Sequence, residues 1–248
     1  MTRAPIAGLA AGEHRLGGPL GHYLGRVLRL RAGSAFVAFD PARGLEADAR
    51  VVRAEGDAVT VDVGPLRPAS APPERALVFI QGFAKADKVD AVVRDATELG
   101  ATRIVVATTA RSVVKVDASR GEARAQRWTR IAEEAARQCG RSEAPRVDPP
   151  VPWEEALGGV DAASARFCLY EEASDPLGPE LFAALGGGRA LAFACGPEGG
   201  LTPDEIACAR AAGWAIASLG PLVLRTETVA AAVLGAVRVA SASGRPAR

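Results

Sequence analysis

The 248-residue chain is poor in histidine, lysine and cysteine. Its two histidines, His14 and His22, and four cysteines, Cys139, Cys168, Cys195 and Cys208, show no zinc-ligand spacing and no CxxC. No metal site is expected, and the scattered cysteines read as buried, reduced thiols of a cytoplasmic protein. Neither a Walker-type Gly-Lys-Ser/Thr nor a GxGxxG occurs, which excludes the usual phosphate loops. No apolar run approaches the length of a membrane span; Val229 to Val237 is short and Ala-rich. The N-terminus carries Arg3 but no hydrophobic core of a signal peptide. A net charge of +1 means that any basic surface must be local. Three lysines stand against 27 arginines. Arginine grips phosphate in a planar fork, and a GC-rich genome gives the same bias.

What is present is a globular chain in two parts. Hydrophobic residues make up 48% of it, enough for one large core or two modest ones. Prolines 65, 68, 72 and 73 mark a break. The expected division is 1–70, a 71–75 linker, and 76–248. Before the break, Ala35 to Phe39, Ala49 to Ala54 and Ala58 to Val63 are short strand-like runs, as in a small β-barrel. His22 to Leu30 has helical spacing. After the break, strands and helices alternate. Leu77 to Gln81, Ile104 to Ala107, Phe167 to Tyr170, Leu191 to Cys195 and Ile216 to Leu219 read as strands. Asp87 is expected to cap a helix that stops at Gly100, and a stripe from Trp128 to Cys139 predicts another. Thr202-Pro203-Asp204-Glu205 spells a capping box, and Val229 to Val239 predicts a last helix. The sum is an α/β domain on a mostly parallel sheet.

Open parallel sheets bind ligands at the carboxyl ends of their strands. Two loops stand out there. Gly196-Pro197-Glu198-Gly199-Gly200 follows one strand, and its glycines let backbone turn sharply and approach a ligand. Leu219-Gly220-Pro221-Leu222-Val223-Leu224-Arg225-Thr226-Glu227-Thr228 joins the last strand to the last helix. Two apolar-walled loops suit an adenine and a thioether better than a triphosphate. By itself the first loop is equally a tight strand–helix turn.

GPEGGLTPDE followed by LGPLVLRTET closely resembles the C-terminal signature of a bacterial family that methylates N3 of a uridine in 16S ribosomal RNA. HYLGRVLRLRAG (22–33), KADKVDAVVRDATELGATRI (85–104), ARSVVK (110–115) and RWTRIAEEAARQCGR (127–141) match in order, so the resemblance spans nearly the whole chain. It implies a PUA-like, barrel-shaped RNA-binding domain, then a SPOUT α/β domain with a trefoil knot. It also implies S-adenosylmethionine as methyl donor and a homodimer. Where the family often has histidine, this chain has Glu171 in CLYEE. Two other readings stay open: a different RNA target, and a non-catalytic RNA-binding factor of ribosome assembly.

With that resemblance, donor contacts are expected from Leu169, Gly196, Pro197, Gly199, Gly200, Leu219, Gly220, Leu224, Arg225, Thr226 and Thr228. Uracil N3 must lose its proton, and the charge spreads to the flanking carbonyl oxygens, so a base or a cation lowers the barrier. Arg225 and Glu198 are candidates for that work. So are Glu172, after a strand end, and Glu98, a carboxylate where the helix dipole disfavours one. For RNA, the stretch from His14 to Phe39 contains no acidic residue. Arg15, Arg26, Arg29 and Arg31 lie in it, with Arg3 upstream; Lys85, Lys88, Arg111 and Lys115 form a second basic set. A solvated helix face is the other meaning of such a run.

Overall fold

The computed structural model describes residues 2–40, 43–56, 58–68, 75–112, 118–141 and 143–242. The chain divides into two compact units, Met1–Pro72 with Ala136–Ala144, and Pro73–Ala135 with Pro145–Arg248. Residues 71–74 of the expected linker, and Lys115, lie outside the described residues.

The first unit is a six-stranded sheet. Its strands are β1 (Arg3–Pro5), β2 (Gly12–Leu16), β3 (Ala35–Asp40), β4 (Leu45–Glu55), β5 (Ala58–Val63) and β6 (Arg67–Pro68). They run in the order β1-β3-β4-β5-β2, with β6 on β4. The alternation of Val59, Val61 and Val63 puts all three in a core with Phe36, Ala38 and Val51. The helical spacing after His22 belongs to a π-helical turn, Tyr23–Val27, preceded by the short α1 (Gly18–His22). The turn buries Leu24 in the same core and ends at Arg29, which has φ +52°, in the left-handed region. Asp40 accepts the backbone N–H groups of Gly8 and Leu9 and so fixes the turn after β1.

The second unit carries β7 (Leu77–Gly82), α2 (Ala86–Glu98), β8 (Arg103–Thr108), α3 (Ala118–Cys139, whose residues from Ala136 on belong to the first unit), β9 (Arg146–Pro152), α4 (Trp153–Gly158) and β10 (Ala165–Leu169). It continues with α5 (Leu177–Gly186), β11 (Leu191–Cys195), α6 (Pro203–Ala211), β12 (Ala215–Ala217) and α7 (Thr226–Ala242). Its six strands are all parallel, in the order β12-β10-β11-β7-β8-β9. Residues of the central strand β11 are buried throughout, as expected of a parallel strand covered on both faces. Strand β9 escapes a sequence reading because Pro149, Pro150 and Pro152 argue against a strand; it is tolerated at the sheet edge.

Two expectations need correction. The cap of α2 is Lys85, and Asp87 sits one step inside the first turn, where a carboxylate still favours the helix dipole. The last helix starts at Thr226 rather than Val229, because the Arg225 carbonyl accepts the N–H groups of Thr228 and Val229 at 2.8 and 3.1 Å.

The end of β12 is held on both edges by one connection. Ala217 O accepts Tyr170 N–H at 3.0 Å on the β10 side. The next residue, Ser218, donates to Asp175 O at 2.8 Å and accepts from Leu177 N–H at 3.0 Å. Successive strand residues turn their backbone groups to opposite edges. The segment leaving β10 therefore returns along the far edge of the segment leaving β12.

Candidate functional site

Strand order reverses between β7 and β11. The chain leaves β7 for β8 on one side and leaves β11 for β12 on the other. Such a switch point opens a crevice at the carboxyl ends of the strands. A cavity of about 290 Å³ lies there, lined by the ends of β10 and β11, the 196–200 turn, the 218–226 loop and Lys88 of α2.

Buried polar groups tie parts of the lining together. Gln81, fully buried at the end of β7, donates from Nε2 to Gly82 O (2.8 Å), Gly196 O (3.2 Å) and Thr226 Oγ1 (2.7 Å). The Thr226 hydroxyl donates to Gly196 O at 2.7 Å. One glutamine thus ties β7, the 196–200 turn and the start of α7 together. Burial pushes the Cys195 thiol beside it up to about 12, so it stays a neutral thiol. Cys168 is also buried and raised; Cys208 is half-buried, and Cys139 is exposed, contrary to the expectation of burial.

The glycines serve the packing of loop on loop. A Cβ on Gly82 would stand 2.6 Å from Pro197 Cδ, and one on Gly196 would stand 2.9 Å from Gly200 C. Gly200 has φ +71° and faces Glu171, whose Oε1 would be 2.8 Å from a Cβ there. Gly199 does not line the cavity: a Cβ on it would stand 3.1 Å from Arg111 Cβ. The second loop supplies apolar wall through Leu219, Leu222, Val223 and Leu224. The backbone groups of Leu222, Val223 and Leu224 enter no hydrogen bond among the described residues.

Charges at the rim fall into two kinds. Lys88 Nζ lies 3.6 Å from Glu198 Oε1 and 3.4 Å from Glu227 Oε2, and Glu198 Oε1 also accepts Lys85 N–H at 3.2 Å. These charges hold one another. Arg225 and Glu171, both exposed and both lining the cavity, form no ion pair among the described residues. Glu172 is not in the lining and accepts the Tyr170 hydroxyl at 2.7 Å, a bond that raises the tyrosine's pKa. Glu98 is ten residues along α2 from Lys88, about 15 Å by helix rise. Thr228 is exposed within α7 and is not in the lining.

Of the expected donor residues, Leu169, Gly196, Pro197, Gly200, Leu219, Gly220, Leu224, Arg225 and Thr226 converge on this one cavity. Sequence reasoning missed Gln81, Tyr170 and the lining role of Glu171. Gln81 leaves a trace in the sequence, a polar residue closing an apolar strand.

Several expected RNA contacts are engaged elsewhere. Arg3 pairs at 2.8 Å with Glu46, whose side chain is 1% exposed, and lies over the Phe39 ring. Arg67 reaches the same carboxylate at 3.1 Å. Arg111 donates to Gly199 O at 2.8 Å, and beside it Ala110 N–H donates to Glu205 Oε1 at 2.7 Å. Glu205 Oε2 accepts Thr202 N–H at 2.8 Å, so the capping box also anchors the loop after β8. Arg15, Arg26, Arg29, Arg31 and Lys85 are exposed.

The cavity combines an apolar wall from Leu219, Leu222, Val223 and Leu224 with the charged side chains of Arg225 and Glu171. An RNA methyltransferase domain model matches residues 71–238, and an RNA methyltransferase PUA domain model matches residues 16–64. The chain is 35% identical over 227 residues to ribosomal RNA small subunit methyltransferase E of Mycobacterium tuberculosis, covering 90% of this chain and 84% of that one. The enzyme of that name from Bacillus subtilis is 36% identical over 160 residues, 63% of this chain and 62% of that one. The fold superposes on ribosomal RNA small subunit methyltransferase E from Neisseria gonorrhoeae bound to S-adenosyl methionine. The TM-score is 0.85 at 27% identity, covering 96% of this chain and 97% of that one. A Legionella pneumophila methyltransferase structure in complex with SAM gives a TM-score of 0.80 at 26% identity, covering 97% and 98%.

Proposed function

The chain belongs to the ribosomal RNA small subunit methyltransferase E family, and from that premise we propose that its strand-end cavity is where a methyl group passes to N3 of a uridine in 16S ribosomal RNA. It is an RNA methyltransferase whose methyl donor is S-adenosylmethionine. The observation that carries the site assignment is the meeting of both Gly/Pro loops on one cavity at the switch point.

The donor supplies a methyl group already activated on a sulfonium. The protein's part is to bind, orient and manage charge. The uncommitted backbone of Leu222 and Leu224 is suited to hydrogen-bond an adenine edge between apolar walls. Arg225, uncommitted at the rim, is placed to stabilise negative charge on the uracil carbonyl oxygens. Glu171, rather than Glu172 or Glu98, is the carboxylate available to take the N3 proton, because it faces the cavity without a cation partner. Glu198 positions Lys88 and the start of α2.

A chain segment held on both edges by the connection that leaves β10 supports a trefoil knot. Leu222 and Val223, 77% and 81% exposed beside the cavity, and Val239, 69% exposed on α7, support a homodimer through the C-terminal domain. The exposed arginines of the acid-free stretch support rRNA binding by the N-terminal domain, with the domain break near residue 70. Cytoplasmic location follows from an rRNA substrate. Among the described residues no helix is long and apolar enough to cross a membrane.

Calorimetry with S-adenosylmethionine and methyl transfer to purified small subunits, read by mass spectrometry of the rRNA, test the proposal. One new N3-methyluridine is expected. Donor binding without methylated product on either free 16S rRNA or assembled subunits would defeat it.

A further inference from the structure

Arg166, the second residue of β10, is a half-buried guanidinium without a partner. Its Nε is shielded from solvent and meets no acceptor, and no hydrogen bond or ion pair engages the rest of the group among the described residues. An unpaired, partly desolvated cation costs free energy, and a neighbouring carboxylate normally offsets that cost. Here the group instead lines a cavity of about 430 Å³. The lining includes the starts of β10 and β12, so this cavity opens at the amino ends of the strands, the opposite end of the sheet from the donor cavity.

A second arginine lies in the same wall, already held. Arg189 donates from Nε and Nη2 to Ala163 O at 3.3 and 3.1 Å, and from Nη2 to Ser164 O at 3.1 Å. Its Nη1 makes no bond among the described residues. The Arg166 guanidinium rests against Gly213, where a Cβ would stand 2.7 Å from Nη2. Gly213 also has φ +78°, so glycine both closes α6 and leaves room for the arginine. Glu180 is the one carboxylate in the lining, and it pairs with neither arginine.

We propose that this cavity binds a phosphate group between Arg166 and Arg189. Planar guanidinium forks match phosphate oxygens in pairs; the Arg166 fork is uncommitted among the described residues, and Arg189, held in place by its carbonyl bonds, adds the N–H groups of Nη1. The volume falls within the roughly 300–1,000 Å³ of small-molecule sites, so the phosphate belongs to a larger molecule that rests on Phe167 and Ala215. Two sources share this chemistry: the backbone of bound RNA, and a free phosphorylated metabolite. The assignment is independent of the donor cavity.

The test uses the full chain and inorganic phosphate, against chloride at equal ionic strength. Phosphate is expected to raise the unfolding midpoint and to bind one per chain. Arg166→Gln removes both effects while its midpoint in chloride is no lower than that of wild type, because among the described residues Arg166 makes no bond to lose and the cost of its unpaired charge is relieved. Glu180→Gln, on an exposed helix face, tightens phosphate binding. A short single-stranded RNA distinguishes the sources. Weaker binding by Arg166→Gln, with a salt slope smaller by about one unit, assigns the site to RNA backbone. Unchanged RNA binding beside lost phosphate binding assigns it to a free phosphorylated molecule. Equal phosphate affinity in wild type, Arg166→Gln and Glu180→Gln, or no phosphate binding by wild type, overturns the proposal.

Discussion

The two units handle charge and backbone in opposite ways. In the first, the buried carboxylate of Glu46 is met by Arg3 and Arg67, while the arginines of the acid-free stretch stand in solvent. In the second, buried Gln81 and glycines without room for a Cβ bring backbone to within van der Waals contact around a cavity. Geometry is strict where backbone packs on backbone, since interiors give way by only tenths of an ångström. It is loose where long charged side chains reach into water, because screening and side-chain entropy dilute each contact. Substitutions in the second unit are therefore expected to act strongly, and those in the first weakly.

The largest effect is expected at Gly82. Gly82→Ala forces a Cβ against Pro197 Cδ at 2.6 Å, so the 196–200 turn must move. Overpacking of this kind costs about 1–3 kcal/mol, and S-adenosylmethionine binding measured by calorimetry should fall at least as much as stability does. Native donor affinity in the folded variant would remove the turn from the donor site. Next comes Glu171→Gln, expected to slow methyl transfer by about 100-fold if the carboxylate is the base. Glu172→Gln, which loses only a bond to Tyr170, should leave the rate within a few-fold. Equal losses in the two variants would show that Glu171 is not the base.

Gln81→Leu takes the side-chain donor from Gly82 O, while Thr226 Oγ1 and Gly196 O keep only the bond between themselves. An unsatisfied buried polar group costs about 1–3 kcal/mol, readable by denaturant unfolding, and an unchanged midpoint would contradict the bonding described. In the first unit, Arg29→Gly should stabilise the fold by about 1 kcal/mol, since an L-residue in the left-handed region carries that order of strain. The same change should weaken RNA binding, because the charge is lost. If RNA affinity holds, the arginine there serves no RNA contact.

The smallest effect concerns Asp48. The hydrogen bond from Arg67, at 2.9 Å, holds its carboxyl below the usual range although the side chain is exposed. A depressed pKa in the folded state gives stability that is present above the unfolded value, near 3.9, and lost as pH falls through the lowered value. Asp48→Asn should thus sit slightly below wild type in melting temperature at pH 7, and the gap should close in acid. A gap that widens with acidification would reverse the assignment.

Much of the second unit was legible from periodicity and punctuation. Gly100, Gly140 and Gly213 each follow a helix with positive φ, and Thr202 forms its capping box as spelled. The strand β11 matches its apolar run to the residue. Less was legible where local signals conflict with tertiary context. Strand β9 hides behind its prolines, and the π-helical turn after His22 imitates ordinary helical spacing. At the site, the glycines announced a loop but not what each one faces. Gly199 turned out to back onto Arg111, and the carboxylate at the rim is Glu171 rather than its neighbour.

The sequence by itself determined the two-part organisation, the parallel α/β unit, the loops that matter and, through its resemblance, the family. Those are properties of local pattern, and local pattern survives in one dimension. Only the tertiary structure decided which charges are spent on one another and which stand free. Lys88 between two glutamates, Arg3 on buried Glu46, and Arg166 without a partner among the described residues look alike as letters. Pairing depends on through-space distances of a few ångströms between residues up to about 140 apart in the chain, and sheet order, not spacing along the chain, sets those distances.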